Sequence, residues 1–394
     1  MRKASLVQRW SSGSRGRAPS GSSRRKHLLL VAALPVFLAA CGPAESTSGD
    51  TTTTTSSSTS TGKSDVEYKD EAVNGMHEAL LVHIQGLRAK AQEMEDEAPT
   101  PPDRGWDAAL DADAIAKMKT SWTEARSSYE NVEGALASLF PSIDAAIDAR
   151  YDDFLTQLAA QGGDADLFDD AGVTGMHAIE RILYSDVTPA HVVEFESSLP
   201  GYVPAAFPAT ADDAAKMKSK LCAKLVADAQ QLEDEWQPTN IHVAIAYAGL
   251  VSLVAEQREK VQKASSDEEE SRYSQRTMAD LRDNLAGARS IYALFQPWIV
   301  SKTDPDDPTK DGPTIDAKIV AGFDKLDTAY SKVDGDAIPQ PPATWSAENP
   351  TAEDLATPFG QLYSEVEAAV DPTLDDSVVT QMNLASELLA LTSF

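Results

Sequence analysis

A histidine and a glutamate at helical spacing are the residues of this chain best suited to chemistry. His177 and Glu180 are three positions apart within the stretch Thr174–Arg181. Residues at i and i+3 lie on one face of a helix, with Cβ atoms about 5–6 Å apart. An imidazole and a carboxylate placed in this way can bind one metal ion, and this donor pair suits iron, zinc or copper. The spacing therefore predicts a metal site at His177 and Glu180.

Two acidic pairs with similar spacing precede this motif. Glu130 and Glu133 are three residues apart, and Asp144 and Asp148 are four residues apart. Helical bundles build metal sites from inward-facing side chains of neighbouring helices, so the three pairs could share one site. Acidic pairs are also common on the solvated faces of acidic proteins, and a single pair is more often exposed than a ligand. Spacing alone leaves both interpretations open.

Helical patterns dominate the sequence after residue 64, and strand patterns are scarce. Apolar residues recur at helical spacing in long segments, which are separated by proline and glycine breaks. The patterns predict helices at 66–96, 108–138, 142–160, 173–185, 210–235, 239–263, 274–298, 313–334, 352–370 and 374–392.

Helices of this length joined by short connections predict an all-α fold of two packed antiparallel four-helix-type bundles. Because Pro238 breaks the pattern, we expect an N-terminal bundle at 65–236, which carries the His-x-x-Glu motif, and a C-terminal bundle at 237–394. The apolar stripe of the segment 239–263 would face the core. Its charged residues are expected on the solvated face: Glu256, Arg258, Glu259 and Lys260.

The N-terminal residues have the composition of a secretory signal. Residues 1–40 combine basic residues with an apolar run shorter than the roughly 20 residues that span a bilayer. Leu38–Cys41 resembles a bacterial lipobox, in which the cysteine is lipidated and becomes the mature N-terminus. We therefore expect a lipoprotein signal peptide at 1–40, lipidation of Cys41 and a flexible Ser/Thr-rich tether at 41–64. An ordinary cleaved signal is the alternative.

The chain is strongly acidic, with 34 basic and 62 acidic residues and a formal net charge of −28. Nucleic-acid binding relies on Lys and Arg contacts to phosphates, so this composition excludes nucleic acid as a partner. An acidic surface attracts cations and basic proteins, and it also serves solubility. With Cys41 lipidated, Cys222 has no partner for an intrachain disulfide and is expected in the core.

Several stretches together carry a family resemblance: Tyr129–Glu133, Leu139–Phe140, Ile147–Asp153, Thr174–Glu180, Glu270–Ser274 and Asp280–Ala288. Taken in order, they resemble the imelysin family, and within it the iron-uptake branch of periplasmic EfeO/EfeM-like proteins. The resemblance covers residues 120–300 best and implies a two-bundle α-protein with a metal site at the His-x-x-Glu motif.

The resemblance also implies roles for individual residues. Arg272 and Tyr273 would orient or close the cleft between the bundles, since arginine has no lone pair with which to bind a metal. The chain departs from the family pattern at Gly134, where the iron-uptake branch often has proline. We also expect no cupredoxin-like domain, because the tether leaves no room for one, and oxidation of ferrous iron would then need another protein. The implied metal ligands are His177, Glu180, Glu130, Glu133 and Asp148, with Asp144 a weaker candidate.

Three functions fit these features. The first is iron capture for uptake by a protein that is lipid-anchored on the periplasmic or outer face of a bacterial membrane, with an iron permease and a peroxidase-type protein as partners. Carboxylates with one imidazole favour Fe²⁺ or Fe³⁺, and zinc or copper are alternatives. The second is an imelysin-type metallopeptidase, which is less favoured because the sequence has no His-Glu-x-x-His motif. The third is a helical module that binds a polymer or a partner protein in a cleft.

Overall fold

The computed structural model describes residues 62–152, 155, 164, 166–304 and 306–391, and no strand occurs within these ranges. This confirms the prediction of an all-α fold. A π-helical turn, Met217–Cys222, joins the helix Ala211–Lys216 to the helix Ala223–Trp236. The α-helices in chain order are α1 (Asp65–Glu97), α2 (Ala112–Glu130), α3 (Glu133–Leu139), α4 (Pro141–Asp148), α5 (Met176–Leu183), α6 (Ala190–Ser197), α7 (Ala211–Lys216), α8 (Ala223–Trp236), α9 (Val243–Lys263), α10 (Thr277–Val300), α11 (Gly312–Ser331), α12 (Ala352–Leu355), α13 (Pro358–Val370) and α14 (Val378–Leu388).

Helix α1 begins at a capping box. The Ser64 hydroxyl accepts a hydrogen bond from the Glu67 backbone N–H at 3.3 Å, and the Glu67 carboxylate accepts one from the Ser64 N–H at 2.7 Å. Buried residues then recur every three or four positions from Ala72 to Met94. This stripe packs against α2, α8 and α10, so α1 contacts helices from both predicted bundles.

The helix predicted at 108–138 is interrupted at Asn131. The Asn131 side chain donates a hydrogen bond of 2.8 Å to the backbone carbonyl four residues earlier, which competes with continuation of the helix. The resulting turn lies against α10 at Gly287, where a Cβ atom would come within 2.4 Å of the Asn131 carbonyl oxygen. The break places Glu130 at the end of α2 and Glu133 at the start of α3.

Other helix boundaries also differ from the sequence pattern. α4 ends at Asp148, where the pattern at 142–160 continues, because Ala149 takes an extended backbone with ψ of 138°. The segment predicted at 352–370 is divided by Thr357, whose side chain caps α13 by accepting a hydrogen bond from the Gly360 N–H. Helix α6 lies between two predicted segments and was not expected.

Helices from the two predicted bundles pack directly against one another. α9 lies on α3, and at Gly249 a Cβ atom would stand 2.3 Å from the Gly134 carbonyl oxygen. α9 also packs against α10 and α13, and α11 packs against α10, α13 and α14. The described residues between 62 and 391 form one compact unit. The division into bundles at 65–236 and 237–394 stays a prediction.

Cys222 is fully buried, as predicted. None of the described helices combines the length and the apolar composition that a membrane span requires. The predicted signal peptide at 1–40 and the predicted lipidation site Cys41 lie outside the described residues. The same holds for the tether at 41–64, apart from its last few residues.

Candidate metal centre

Helix α5 carries His177 and Glu180, and Gly175 determines how this helix begins. Gly175 has a φ of 89°, a backbone conformation that favours glycine. A Cβ atom at this position would lie only 2.5 Å from the carbonyl oxygen of Ile147 in α4. This close approach sets the first turn of α5 against the last turn of α4, so that His177 meets Asp148.

His177 and Glu180 contact each other, as their spacing predicts. Nδ1 of His177 lies 3.0 Å from Oε2 of Glu180, and both side chains are fully buried. The second oxygen of Glu180 accepts hydrogen bonds from the backbone N–H and the hydroxyl of Ser274, at 2.9 and 2.7 Å. Nε2 of His177 lies 3.3 Å from Oδ1 of Asp148, outside hydrogen-bonding geometry. The imidazole is therefore held on its Nδ1 side and faces Asp148 with Nε2.

The imidazole of His177 is more basic than usual. Burial and the Arg126 guanidinium both disfavour its charged form, but the carboxylates of Asp148 and Glu180 outweigh them and raise the pKa of His177 to about 9. At neutral pH the imidazole therefore carries a proton on each nitrogen. A metal ion that binds His177 has to displace one of these protons.

A buried arginine lies at the centre of the acidic residues. Arg126 is 1 % exposed and pairs with Glu130 on α2 and with Asp148 at the end of α4. Its Nη2 lies 3.5 Å from Glu270, and its Nε lies 3.6 Å from Asp280. Burial alone would raise the pKa of Asp148, but Arg126 holds it below its usual value. One guanidinium thus faces four carboxyl groups.

Lys260 is a second buried cation. Its prediction as a solvated residue is wrong, because the residue is only 6 % exposed. Nζ lies 3.0 Å from Glu133, 2.9 Å from Glu270 and 2.8 Å from the side-chain oxygen of Asn284. Burial would lower the pKa of Lys260, but the surrounding carboxylates hold it well above its usual value. The polar side of α9 is covered here by α3 and by the segment before α10, and both contribute carboxylates. Glu256 and Glu259 are exposed, as predicted.

Two of the acidic groups retain protons more readily than free carboxyls. Burial raises the pKa of Glu130 well above its usual value despite the neighbouring Arg126. Burial likewise raises the pKa of Asp280 to about 6. The amide nitrogen of Asn284 donates hydrogen bonds to Glu130 and to Glu133, the latter at 2.8 Å. Replacing such protons by a metal ion removes part of the cost of ionising buried carboxyls.

A cavity of about 320 Å³ gives access to the network on the Lys260 side. One oxygen from each of Glu133, Asp148 and Glu270 lies within 4.8 Å of the others, and these three residues line the cavity. Glu133, Asp148 and Glu270 thus form an outer carboxylate group. Glu130, Glu270 and Asp280 form a second group of the same kind, farther inside. The other lining residues are Ala149, Arg150, Glu256, Glu259, Lys260 and Lys263.

The donor set suits a hard or intermediate metal ion. Carboxylate oxygens with one nearby imidazole are typical ligands of iron. Nε2 of His177 is buried, makes no hydrogen bond with the residues that the structure describes, and faces the Asp148 carboxylate at 3.3 Å. Buried polar atoms normally have hydrogen-bond partners, so this exception indicates an atom that a ligand could engage.

The structure brings the five predicted ligands into one continuous network but gives them different positions. Glu133 and Asp148 face the cavity, and Glu130 lies deeper beside Arg126. His177 and Glu180 join the network through Asp148 and belong to neither carboxylate group.

Asp144, the weaker candidate, lies outside both carboxylate groups. Its carboxyl accepts a hydrogen bond of 2.5 Å from the Tyr129 hydroxyl. Burial raises the pKa of Asp144 to about 7. The side chain is therefore engaged in a separate contact between α2 and α4.

Several residues of the network were not predicted as parts of a site, among them Arg126, Lys260, Glu270, Asp280 and Asn284. Glu270 and Asp280 lie in the stretches that carry the family resemblance, so the sequence held a signal for them. The sequence held no such signal for Lys260, because its position on α9 belongs to the polar side of an amphipathic pattern.

Arg272 and Tyr273 lie in a second buried network. Arg272 donates a hydrogen bond of 2.5 Å to Asp152, and the Tyr273 hydroxyl bonds to Glu196. Arg181 of α5 also binds Glu196, at 3.0 Å. Arg272 and Tyr273 thus connect the segment before α10 to α5 and α6. Their predicted role in orienting or closing a cleft stays a prediction.

The chain is similar in sequence to known proteins. The imelysin family model (peptidase M75) matches residues 76–362. The iron uptake system component EfeM of Pseudomonas syringae pv. syringae (strain B728a) is 28% identical over 250 residues, covering 63% of this chain and 73% of EfeM. The iron uptake system component EfeO of Escherichia coli (strain K12) is 28% identical over 224 residues, covering 57% of this chain. The match spans only 46% of the length of EfeO.

A solved structure has a similar fold. The crystal structure of a protein described as iron-regulated protein A precursor, from Parabacteroides distasonis ATCC 8503, matches with a TM-score of 0.53. The likeness covers 84% of this chain and 97% of that chain at 14% sequence identity, so it concerns the fold alone. The family model, in contrast, matches well over half of the sequence together with the His-x-x-Glu motif. The chain therefore belongs to the imelysin family.

Proposed function

We propose that this protein binds iron at the bacterial cell envelope and delivers it to an uptake system. The observation that carries the proposal is the outer carboxylate group, in which one oxygen from each of three residues lies within 4.8 Å of the others beside a cavity. Such oxygen donors suit Fe³⁺ and Fe²⁺, and zinc or copper are the alternatives. The relatives EfeM and EfeO, named as iron uptake components, supply the biological context.

In the proposed site, Glu133, Asp148 and Glu270 bind the ion from the cavity side. His177 contributes Nε2 next to Asp148. Glu180 bonds to Nδ1 and so fixes the orientation of the ring, as the outer partners of metal-bound histidines generally do. Glu130 extends the donor set on the inner side of the site.

The proposed location depends on the N-terminal residues. Lipidation of Cys41 would anchor the protein to the periplasmic or outer face of a membrane, and the tether at 41–64 would let the helical part reach its partners. An iron permease would receive the ion, and a peroxidase-type protein would change its oxidation state.

Metal binding by the purified full-length protein tests this function. Equilibrium dialysis against Fe(III)-citrate, Fe(II) under argon, Zn(II) and Cu(II) compares the parent with a His177→Ala/Glu180→Ala double variant. The chain offers a matched control in His191 and Glu194, a second His-x-x-Glu pair that lies on α6, outside the network. We expect tight, roughly stoichiometric iron binding by the parent and by the His191→Ala/Glu194→Ala control, and loss of binding in the first variant.

Further variants separate ligand loss from misfolding. Glu270→Gln changes one cavity-facing carboxylate without touching α5, and it should also weaken iron binding while the circular dichroism spectrum is unchanged. Equal iron binding by the parent and the His177/Glu180 variant would contradict the proposal. Preference for zinc together with cleavage of a peptide library would instead indicate a metallopeptidase. Binding of a polymer or a partner protein without any metal would indicate a binding module.

A further inference from the structure

We infer that Lys260 competes with iron for the same position. Iron binds only when the Lys260 ammonium leaves the outer carboxylate group. When the ammonium comes back, iron is released to solution or to a partner. This inference rests on the proposed function and adds a residue that sets affinity and release.

The ammonium of Lys260 occupies the place that an ion would take. Nζ lies 3.0 Å from Oε2 of Glu133 and 2.9 Å from Oε2 of Glu270, which are two of the three members of the outer carboxylate group. Metal ions bind carboxylate oxygens at about 2.0–2.6 Å. An ion bonded to these oxygens would therefore overlap with the ammonium or stand against it at short range. The two cations exclude each other.

Of the two cations among these carboxylates, Arg126 and Lys260, Lys260 is the one that can withdraw into the cavity. Arg126 is held between Glu130, Asp148 and Asp280, which belong to three different helices, and it does not line the cavity. Lys260 lines the cavity, and its flexible four-carbon stem ends in a compact ammonium with rotatable donors. The Lys260 side chain can therefore swing outward without breaking the contacts of Arg126.

Glu256 offers the displaced ammonium a new partner. It precedes Lys260 by four residues on α9, so the two side chains share one helical face. Glu256 also lines the cavity, is exposed, and makes no hydrogen bond or ion pair with the residues that the structure describes. Its neighbour Glu259 is already paired with Lys263 at 3.0 Å. Glu256 is thus the available carboxylate at the cavity mouth.

This arrangement leaves a cation beside the outer carboxylate group both with and without iron. Without iron, Lys260 compensates carboxylates whose burial as unpaired charges would destabilise the fold. With iron, the metal takes over that role, and Lys260 pairs with Glu256. A carrier that hands its cargo on benefits from such a competitor, because the ammonium lowers the affinity and refills the site on release.

A double-mutant cycle tests the inference on the full-length protein. Dissociation constants for iron are measured with Fe(III)-citrate and with Fe(II) under argon, for the parent, Lys260→Met, Glu256→Gln and the combined variant. Lys260→Met keeps the chain length and removes the charge, and we expect it to bind iron at least about tenfold more tightly. Glu256→Gln should weaken binding severalfold when Lys260 is present and have no specific effect in the Lys260→Met background.

Two controls isolate the charge and the position. Lys260→Arg keeps the positive charge and should bind iron no more tightly than the parent. Glu259→Gln removes a nearby carboxylate that already has a partner, and its small effect should be the same in both backgrounds. If Lys260→Met fails to fold, Lys260→Gln replaces it. The comparison of Glu256→Gln with Glu259→Gln in the parent still tests whether the Lys260 ammonium moves to Glu256.

The outcomes separate this inference from the proposed function. If the parent binds iron and Lys260→Met binds it equally or less tightly, the competitor role is overturned while the iron site stands. If Glu256→Gln weakens binding equally with and without Lys260, Glu256 does not act as the receiving carboxylate. If no variant binds iron, both the function and the competitor role fall.

Discussion

Replacing Gly175 by alanine should disturb the junction on which the metal centre depends. Gly175 has φ of 89° and ψ of −167°, a combination that costs residues with a side chain about 1–3 kcal/mol. The new Cβ atom would also stand 2.5 Å from the Ile147 carbonyl oxygen and 2.8 Å from that of Ala146. Both neighbours are backbone atoms, so α5 has to move away from α4 by about 1 Å to restore ordinary contact distances.

The expected loss of stability follows from these two contributions. Backbone strain and overpacking, each about 1–3 kcal/mol, together give about 4 kcal/mol. For a domain of this size, 1 kcal/mol corresponds to about 2 °C, so the melting temperature should fall by about 8 °C. The same displacement separates His177 from Asp148, which should weaken iron binding about tenfold or more.

Calorimetry and iron titration of Gly175→Ala measure both effects. Gly335→Ala is the matched control, because Gly335 also has a positive φ, of 77°, but no atom lies within 4 Å of a Cβ atom placed there. The control should lose about 1 kcal/mol, or about 2 °C, and keep its affinity for iron. Equal melting temperatures for the two variants, or unchanged iron binding by Gly175→Ala, would refute the reasoning from the close approach of α4 and α5.

Two further predictions concern the buried charges, in protein stripped of metal by a chelator. The pKa of His177, about 9, exceeds the unfolded value of 6.5, so its protonation stabilises the fold fully below about pH 6.5, and this contribution, up to about 3 kcal/mol, is lost as the pH rises through 9. Urea unfolding should show this loss in the parent and not in His177→Gln, and identical pH profiles would contradict the assignment. Arg126→Met leaves Glu130 and Asp148 buried without their cation and should cost about 3–5 kcal/mol in the same assay, with partial recovery on adding Glu130→Gln. A loss below about 1 kcal/mol would show that Arg126 is dispensable.

The sequence predicted the fold class and the central motif because both depend on local periodicity. Apolar residues at helical spacing identified the helices, and the i, i+3 spacing of His177 and Glu180 correctly placed their side chains in contact. Helix ends were less predictable. The break at Asn131 depends on a side-chain hydrogen bond and on the close approach of Gly287, which is distant in sequence.

Tertiary contacts determine which residues make up the metal centre, and the spacing of residues in the sequence does not reveal these contacts. A buried network of charges has the same sequence pattern as a solvated face, since both are rows of polar residues on one side of a helix. For this reason the sequence pattern predicts a solvated Lys260, although α3 and the segment before α10 cover it with carboxylates. Glu270 and Asp280 meet Arg126 only after the chain has folded back across α2.

Anomalous diffraction at the iron absorption edge, from crystals of the protein loaded with iron, would locate the bound metal. We expect one strong peak within bonding distance of Glu133, Asp148 and Glu270, with Nε2 of His177 turned toward it and the Lys260 ammonium withdrawn toward Glu256. A peak away from these residues, or no ordered iron in crystals of a protein that binds iron in solution, would contradict it.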